Sequence, residues 1–139
     1  DGGNFVIRED PEMPKYVSDL WKKYSEEMDK FDLFNAVSDA VAFAVAGNME
    51  MEKKKPWTLT GEERMKVLGA IAEMLRHISL MLLPFIPESA QKISKQLSVP
   101  YAEKMLDKDF IITKEMKQWG GAKDWNRVGE PSILFPPLS

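Results

Sequence analysis

Hydrophobic side chains recur along most of the chain at intervals of three and four residues, the spacing of one face of an α-helix. A first helix is predicted from Pro14, a residue suited to a first helical turn. Its apolar stripe contains Val17, Leu20, Trp21, Tyr24, Met28 and Phe31. A second helix is predicted from Leu33 to about Lys53. Its apolar residues are Phe34, Val37, Val41, Ala44, Val45 and Met51. Its many alanines and Gly47 indicate close approach to a neighbouring helix.

The segment KKKPWTL, residues 53–59, interrupts this pattern. Pro56 disfavours helical geometry at Lys55 and has no amide hydrogen to donate. A third helix is predicted to begin at TGEE, where Thr60 and Glu63 have the spacing of a capping box. Its predicted buried face consists of Val67, Leu68, Ile71, Leu75, Ile78 and Leu82.

Pro84 turns the chain into a last predicted helix, residues 87–97, with Ala90, Ile93 and Leu97 on its apolar face. Beyond this helix the periodicity weakens. Single turns are predicted at residues 103–106 and 114–118 and at WGGAK, and a short extended segment at SILFPPL.

The predicted elements define an all-α fold, an antiparallel helical bundle with an irregular C-terminal tail. Residues 1–13 form an irregular lead-in and residues 14–97 form the bundle. Residues 98–139 form the tail, which we expect to pack on the bundle or on a domain outside the chain.

The composition fits one globular domain with a core, since 44% of the 139 residues are hydrophobic. There is no cysteine and only one histidine, which excludes disulfides, thiolate metal sites and multi-histidine zinc sites. No apolar run is long enough to span a membrane, and we expect a cytoplasmic protein. The chain opens with DGGNF rather than methionine, which indicates a piece of a longer protein.

The net charge of −3 conceals a gradient along the chain. Residues 1–52 carry five basic and twelve acidic side chains, whereas residues 53–127 carry fourteen basic and nine acidic ones. A polyanion is therefore expected to contact the middle and later parts of the chain and not the first helix. The negative total argues against a protein that coats nucleic acid without selection.

Two short stretches are similar to the ATP-site signatures HIGH and KMSKS of class I aminoacyl-tRNA synthetases, namely HISL from His77 and KISKQ from Lys92. Both lie within predicted amphipathic helices, and Ser79 replaces the glycine that the first signature needs. Fewer than twenty residues separate them, too few for the strands and crossovers of a nucleotide-binding fold. Neither stretch is therefore interpreted as a catalytic site.

Trp57 is the strongest candidate for a binding residue. It follows a proline at a predicted corner between helices, beside Lys53, Lys54 and Lys55. An unpaired RNA base can stack on an indole, and lysines can contact the flanking phosphates. From the residues alone, a tryptophan that plugs the bundle end and three solvated lysines are the more common outcome. Asn48 either contacts RNA or, as we favour, bridges two helices.

Three segments together are similar to the anticodon-binding domains of methionyl-tRNA synthetases. AGNMEMEKKKPWTL, from Ala46, resembles a family segment in which an asparagine and a Pro-Trp pair have the separation of Asn48 and Trp57. LRHISLMLLPFIPESAQKI, from Leu75, resembles the helix–proline–helix element that follows. WGGAKDWNRVGEPSILFPPL, from Trp119, resembles the family's tail. Glu50 departs from the family pattern, which has a tyrosine two residues after the asparagine.

The resemblance implies that Trp57 stacks on an anticodon base of methionine tRNA, with Lys53, Lys54, Lys55 and Asn48 as further RNA-binding candidates. It also implies that the family's first, base-reading helix would precede this chain. The partners would be the anticodon loop and the catalytic domain of a parent methionine–tRNA ligase, which uses ATP with Mg²⁺. The chain itself is expected to hold no catalytic residue, cofactor or metal.

Two alternatives remain at this point. One is the equivalent domain of a leucine, isoleucine or valine synthetase, which the spacing from Asn48 to Trp57 fits poorly. The other is a helical protein-interaction module without an RNA role. Trp119, Trp125 and Phe135 could form a second stacking platform, but a structural role is favoured because the family's tail folds toward the catalytic body. His77 is interpreted as a helix-surface or core-edge residue with no carboxylate placed to pair with it.

Overall fold

The computed structural model of the chain describes residues 12–122 and 125, in which the secondary structure consists of helices and turns without a strand. The α-helices are α1 (Met13–Asp29), α2 (Leu33–Lys54), α3 (Gly61–Leu82) and α4 (Pro87–Gln96). Short 3₁₀ helices span Pro56–Thr58 and Ala102–Lys104. The predicted all-α bundle with an irregular tail is confirmed. The predicted lead-in up to residue 11 and the extended segment at 132–138 lie outside the described residues.

The third helix, α3, is the centre of the bundle. It packs against α2 and α4. Trp21 and Tyr24 of α1 donate hydrogen bonds to His77 and to the carbonyl of Met81 on α3. Between Ile71 and Met81 every residue except Leu75 is buried. A helix buried on all sides must satisfy its polar side chains internally, and α3 carries several of them.

The face of α2 that packs differs from the predicted one. Its buried side carries Ala36, Asp39, Ala40 and Phe43, whereas Phe34, Val41 and Val45 are more than half exposed. The helix was predicted correctly because the residues on both faces have helical spacing. The larger apolar residues predicted the wrong buried face, because the small alanines on the other face allow α2 to approach its neighbours more closely.

Close packing at Gly47 is confirmed. A methyl group added there would lie 3.4 Å from the terminal carbon of Met74 on α3. The start of α3 differs from the prediction, because the side chain of Thr60 makes no capping hydrogen bond. Gly61, the first residue of α3, has φ of +61°, a left-handed conformation rather than the helical one that a capping box requires.

The segment after α4 is irregular but attached to the bundle at several points. Leu97, Val99 and Trp125 are buried together with Ala72 of α3. The indole of Trp125 donates a hydrogen bond of 2.8 Å to the carbonyl of Leu97. These contacts hold the irregular segment against the end of α4.

Candidate nucleic-acid interface

The candidate interface begins where α2 ends. Lys53 and Lys54 lie in its last turn, where cationic side chains favour the negative end of the helix dipole. Lys55 has φ of +47° and its amide donates to the carbonyl of Met51 at 2.9 Å, which closes the last turn. The break predicted before Pro56 is therefore confirmed, because the proline cannot continue the hydrogen-bond ladder.

The 3₁₀ helix Pro56–Thr58 sets the position of Trp57. Both the amide and the hydroxyl of Thr58 donate to the carbonyl of Lys55, at 2.9 and 2.7 Å. These two bonds fix a tight corner between α2 and α3, and the corner packs against α3. Trp57, at its apex, is 63% exposed. The indole is therefore not a plug of the bundle end but a flat apolar surface offered to solvent.

The three lysines beside this indole carry uncompensated charge. Lys53 and Lys55 are exposed and Lys54 is half-buried. In the described part of the chain, every ion pair lies elsewhere, and these amino groups have no carboxylate within 4.0 Å. The corner thus combines an exposed indole with cations that have no carboxylate partner among the described residues, an arrangement suited to a stacked base and its phosphates.

Asn48 does not bridge two helices, and that interpretation is wrong. Its side chain is exposed and forms no hydrogen bond with any residue that the structure describes. Gly47, the neighbouring residue, makes the close helix contact instead. Asn48 lies on α2 within two turns of its last residue, Lys54, from which the chain enters the corner. The amide of Asn48 is therefore available to a ligand held at the corner.

A second group of polar residues, Glu73, Arg76 and His77, lies inside the bundle and is fully buried. Arg76 holds Glu73 with two hydrogen bonds, of 2.6 and 2.8 Å. His77 Nε2 lies 3.2 Å from the same carboxylate, and His77 Nδ1 accepts a bond of 2.9 Å from the Trp21 indole. The interpretation of His77 as an unpaired surface or core-edge residue is therefore wrong. The i, i+3, i+4 spacing of these three residues on an apolar helix was the one sequence signal that could have revealed the cluster.

The protonation states in this cluster follow from burial and pairing. Burial, together with the charge of Arg76, lowers the pKa of His77, so the ring is neutral near pH 7. Because Trp21 donates to Nδ1, the proton lies on Nε2, which donates to Glu73. Burial alone would raise the pKa of Glu73, but the hydrogen bonds from Arg76 and His77 and the charge of Arg76 outweigh burial and lower that pKa.

The same cluster fastens the irregular segment to the helices. Arg76 donates to the carbonyls of Met116 and Gln118 at 2.7 and 3.0 Å, and the amide of Gly120 donates to Glu73. No side chain of the three has solvent-exposed surface. The cluster therefore connects parts of the fold and is closed to a substrate.

Other kinds of site find no support in the described residues. At 12–122 and 125, no group of histidine, aspartate and glutamate side chains has the arrangement of a metal site. In this same part of the chain, no helix is long and apolar enough to cross a bilayer. The candidate interface is thus the exposed corner, hereafter the Trp57 corner, made of Lys53, Lys54, Lys55 and Trp57.

Comparison with known proteins identifies the family of the chain. The family model described as the anticodon binding domain of methionyl tRNA ligase matches residues 1–119. A methionine–tRNA ligase of Fusobacterium nucleatum is 31% identical over 136 residues, 93% of this chain and 20% of that protein. One from Rickettsia conorii is 34% identical over 115 residues, covering 78% of this chain and 21% of that protein.

A third relative, the methionine–tRNA ligase of Ignicoccus hospitalis, is 29% identical over 141 residues, covering 99% of this chain and 24% of that protein. The chain thus spans about a fifth to a quarter of the length of these relatives. No solved structure matches it. On the family match, which covers most of its length, the chain belongs to the anticodon-binding domains of methionyl-tRNA ligases.

Proposed function

We propose that the chain binds the anticodon loop of methionine tRNA at the Trp57 corner, within a protein that attaches methionine to that tRNA. The observation that carries the proposal is the 63% exposure of Trp57 at a hydrogen-bonded corner beside three unpaired lysines. The family membership supplies the class of ligand. The names of the relatives supply the amino acid.

The corner recognises an unpaired loop by two physical effects. An anticodon base that leaves the loop stack can lie on the indole of Trp57, which replaces base–base stacking with base–aromatic stacking. Lys53, Lys54 and Lys55 then neutralise the phosphates on either side, which sets the position of the loop without reading its sequence. The exposed amide of Asn48, in the last two turns of α2, can donate to and accept from a base edge.

The contribution of this domain to the reaction is binding and selection. Methionine activation needs ATP with Mg²⁺, and a catalytic domain of the parent protein would bind them and carry out that step. The Trp57 corner holds one end of the tRNA so that the acceptor end reaches that domain. Stacking on Trp57 raises the affinity for the correct tRNA above that for tRNAs whose loop bases do not stack on this indole.

Replacement of the indole tests the proposal in the protein at its full encoded length. Trp57→Ala should raise the Kd for methionine tRNA by roughly 5- to 140-fold, the equivalent of about 1–3 kcal/mol for one stacked base. Trp57→Phe should retain part of the affinity because a smaller aromatic face remains. Thermal unfolding should change little, since the ring is mostly exposed.

Phe31→Ala is the matched control, because it removes an aromatic ring that is 85% exposed at the opposite end of α2. It should leave the Kd unchanged. Equal affinities of the Trp57→Ala variant and the unaltered protein for methionine tRNA would overturn the stacking proposal.

One observation favours the alternative of a protein-interaction module, namely the exposed apolar side of α2 with Phe34, Val41 and Val45. The two functions give different results in the same titration. An interaction module would bind methionine tRNA and a tRNA with a changed anticodon equally weakly. A preference for the first that disappears in Trp57→Ala supports RNA recognition.

A further inference from the structure

A second cationic feature lies well away from the Trp57 corner, in an open cleft of about 530 Å³ between α1 and the irregular segment after α4. Its walls are formed by Pro14, Ser18, Trp21, Lys22, Ser25, Lys114, Lys117, Gln118 and Trp119. We refer to it as the α1 cleft. It contains the partly buried Trp119, which the sequence alone presented as either a stacking platform or a structural residue.

The charged residues that line the α1 cleft are all positive. Three amino groups, those of Lys22, Lys114 and Lys117, line it, and no carboxylate is among its lining residues. None of the three forms an ion pair in the part of the chain that the structure describes. The amino group of Lys117 lies 5.4 Å from the centre of the Trp21 ring, which holds it at the cleft wall.

The floor of the cleft is rigid. Trp119 stacks on His77 with an angle of 8° between the rings, and Trp21 is fixed by its hydrogen bond to the same histidine. The backbone on either side of Trp119 is held by the buried cluster, through Gln118 to Arg76 and through Gly120 to Glu73. A preorganised apolar floor bordered by cations loses little entropy on binding.

We propose that the α1 cleft binds the phosphate–sugar backbone of the same RNA whose loop lies at the Trp57 corner, so this inference rests on the proposed function. Lysines bind the phosphates, and the partly buried indole of Trp119 packs against sugar. The contact is to the base-paired arm behind the loop and carries no sequence information of its own.

The distance between the two sites fits one RNA molecule. His77 stacks on Trp119 and so marks the level of the cleft floor on α3. Gly61, the first residue of α3, follows the Trp57 corner. At a rise of about 1.5 Å per residue, the two residues are about 24 Å apart along the helix axis. A double-helical arm is a rod with a phosphate charge roughly every 1.7 Å of its axis. An arm that begins at the corner and runs along α3 would therefore present phosphates at the level of the cleft.

An acidic protein surface is the competing occupant, and the cleft fits it less well. A backbone of phosphodiesters offers regularly spaced anions together with flat sugar surface, which matches three lysines around an indole. Carboxylates on a folded partner would need to be placed individually. The wall that carries Lys114 and Lys117 also belongs to the later part of the chain, whose excess of basic residues favours a polyanion, whereas Lys22 lies on α1 in the acidic part.

The test compares two variants of equal charge in the protein at its full encoded length. The cleft variant is Lys22→Gln, Lys114→Gln and Lys117→Gln. The control variant is Lys30→Gln, Lys92→Gln and Lys108→Gln, which removes three exposed lysines without ion pairs that lie outside both sites. The probes are a methionine tRNA transcript and a hairpin with the same loop but only two base pairs of stem.

For the complete tRNA, the cleft substitutions should raise the Kd roughly tenfold or more at 0.1 M salt. The slope of log Kd against log salt concentration should decrease by about two. The control variant should change the Kd by less than about threefold. With the trimmed hairpin, which cannot reach the cleft, the two variants should bind alike. Replacement of the same three cleft lysines by arginine should retain the affinity, which separates lost charge from lost folding.

Equal Kd values of the cleft and control variants for the complete tRNA would overturn the proposal. Unchanged RNA binding with an altered radius of gyration in solution scattering would assign the cleft to a contact with another part of the protein and would also overturn it. Trp57→Ala should weaken both probes. If it weakens neither while the cleft variant weakens the complete tRNA, the cleft proposal survives and the proposed function fails.

Discussion

The Trp57 corner and the buried cluster of Glu73, Arg76 and His77 use similar chemistry in opposite ways. Both combine an indole with cationic groups. In the cluster, the hydrogen-bonding atoms of Glu73 and His77 have protein partners, and the three side chains have no exposed surface. At the corner, the indole is 63% exposed and the lysines have no carboxylate partner among the described residues.

This difference indicates where the molecule binds something else. A polar group that the protein satisfies internally contributes to folding, and its removal leaves a buried partner uncompensated. A group that the protein leaves unsatisfied at the surface costs little in stability and remains available to a ligand. The two regions should therefore respond in opposite ways to substitution, one in stability and the other in binding.

The largest expected effect is the loss of the buried carboxylate. Glu73→Gln leaves the guanidinium of Arg76 charged and buried without its counterion, which should lower the free energy of unfolding by about 3–5 kcal/mol. Urea denaturation measures the change. Glu115→Gln, an exposed glutamate of the irregular segment, is the control and should change the free energy by less than about 0.5 kcal/mol. A loss below about 1 kcal/mol for Glu73→Gln would mean that the cluster does not hold the fold together.

Loss of the corner charges should have a smaller effect, and on binding only. Replacement of Lys53, Lys54 and Lys55 by glutamine removes phosphate contacts and should raise the Kd for methionine tRNA by roughly tenfold at 0.1 M salt, with a flatter salt dependence. The urea midpoint should stay within experimental error of the unaltered protein. A lowered midpoint with unchanged salt dependence would contradict the assignment of these lysines to RNA.

The smallest effect concerns pH. The pKa of His77 is lowered by burial from its ordinary 6.5, so the unfolded chain takes up a proton below about pH 6.5 that the folded protein does not. The contribution of His77 to the free energy of unfolding is therefore fully present above pH 6.5. It decreases as the pH falls below 6.5, by at most about 1.4 kcal/mol per pH unit. Glu73, whose pKa is lowered from 4.5, adds a loss below about pH 4.5.

Thermal unfolding between pH 7.5 and 5.5 measures the contribution of His77. His77→Gln keeps a hydrogen-bond donor and an acceptor but cannot titrate. Its unfolding temperature should therefore change less over this range than that of the unaltered protein. Parallel curves for the two proteins would show that His77 is not the group that titrates.

The comparison also shows what the sequence can predict. The corner was predictable because its causes are local: a proline that ends α2, a neighbouring tryptophan and three adjacent lysines. The helices were predictable for the same reason, through their spacing. Their packing was not, since the exposed side of α2 carries larger apolar residues than the buried side. Which side packs depends on how closely the neighbouring helices approach.

The buried cluster was missed because its partners are distant in the chain. Trp21 lies on α1, and the carbonyls of Met116 and Gln118 lie in a segment without periodicity. Only the spacing of Glu73, Arg76 and His77 was visible locally, and charged residues at helical spacing are more often exposed. The capping box predicted at Thr60 also failed, and Gly61 beside it adopts a left-handed conformation that the spacing of Thr60 and Glu63 did not reveal.

The most direct test of the account is a cycle that combines Trp57→Ala with a change of one anticodon base in methionine tRNA. Four Kd values give the coupling between the indole and that base. If Trp57 stacks on the anticodon, the base change should weaken the unaltered protein much more than the variant, with a coupling of about 1 kcal/mol or more. Purely additive effects at every anticodon position would contradict the account.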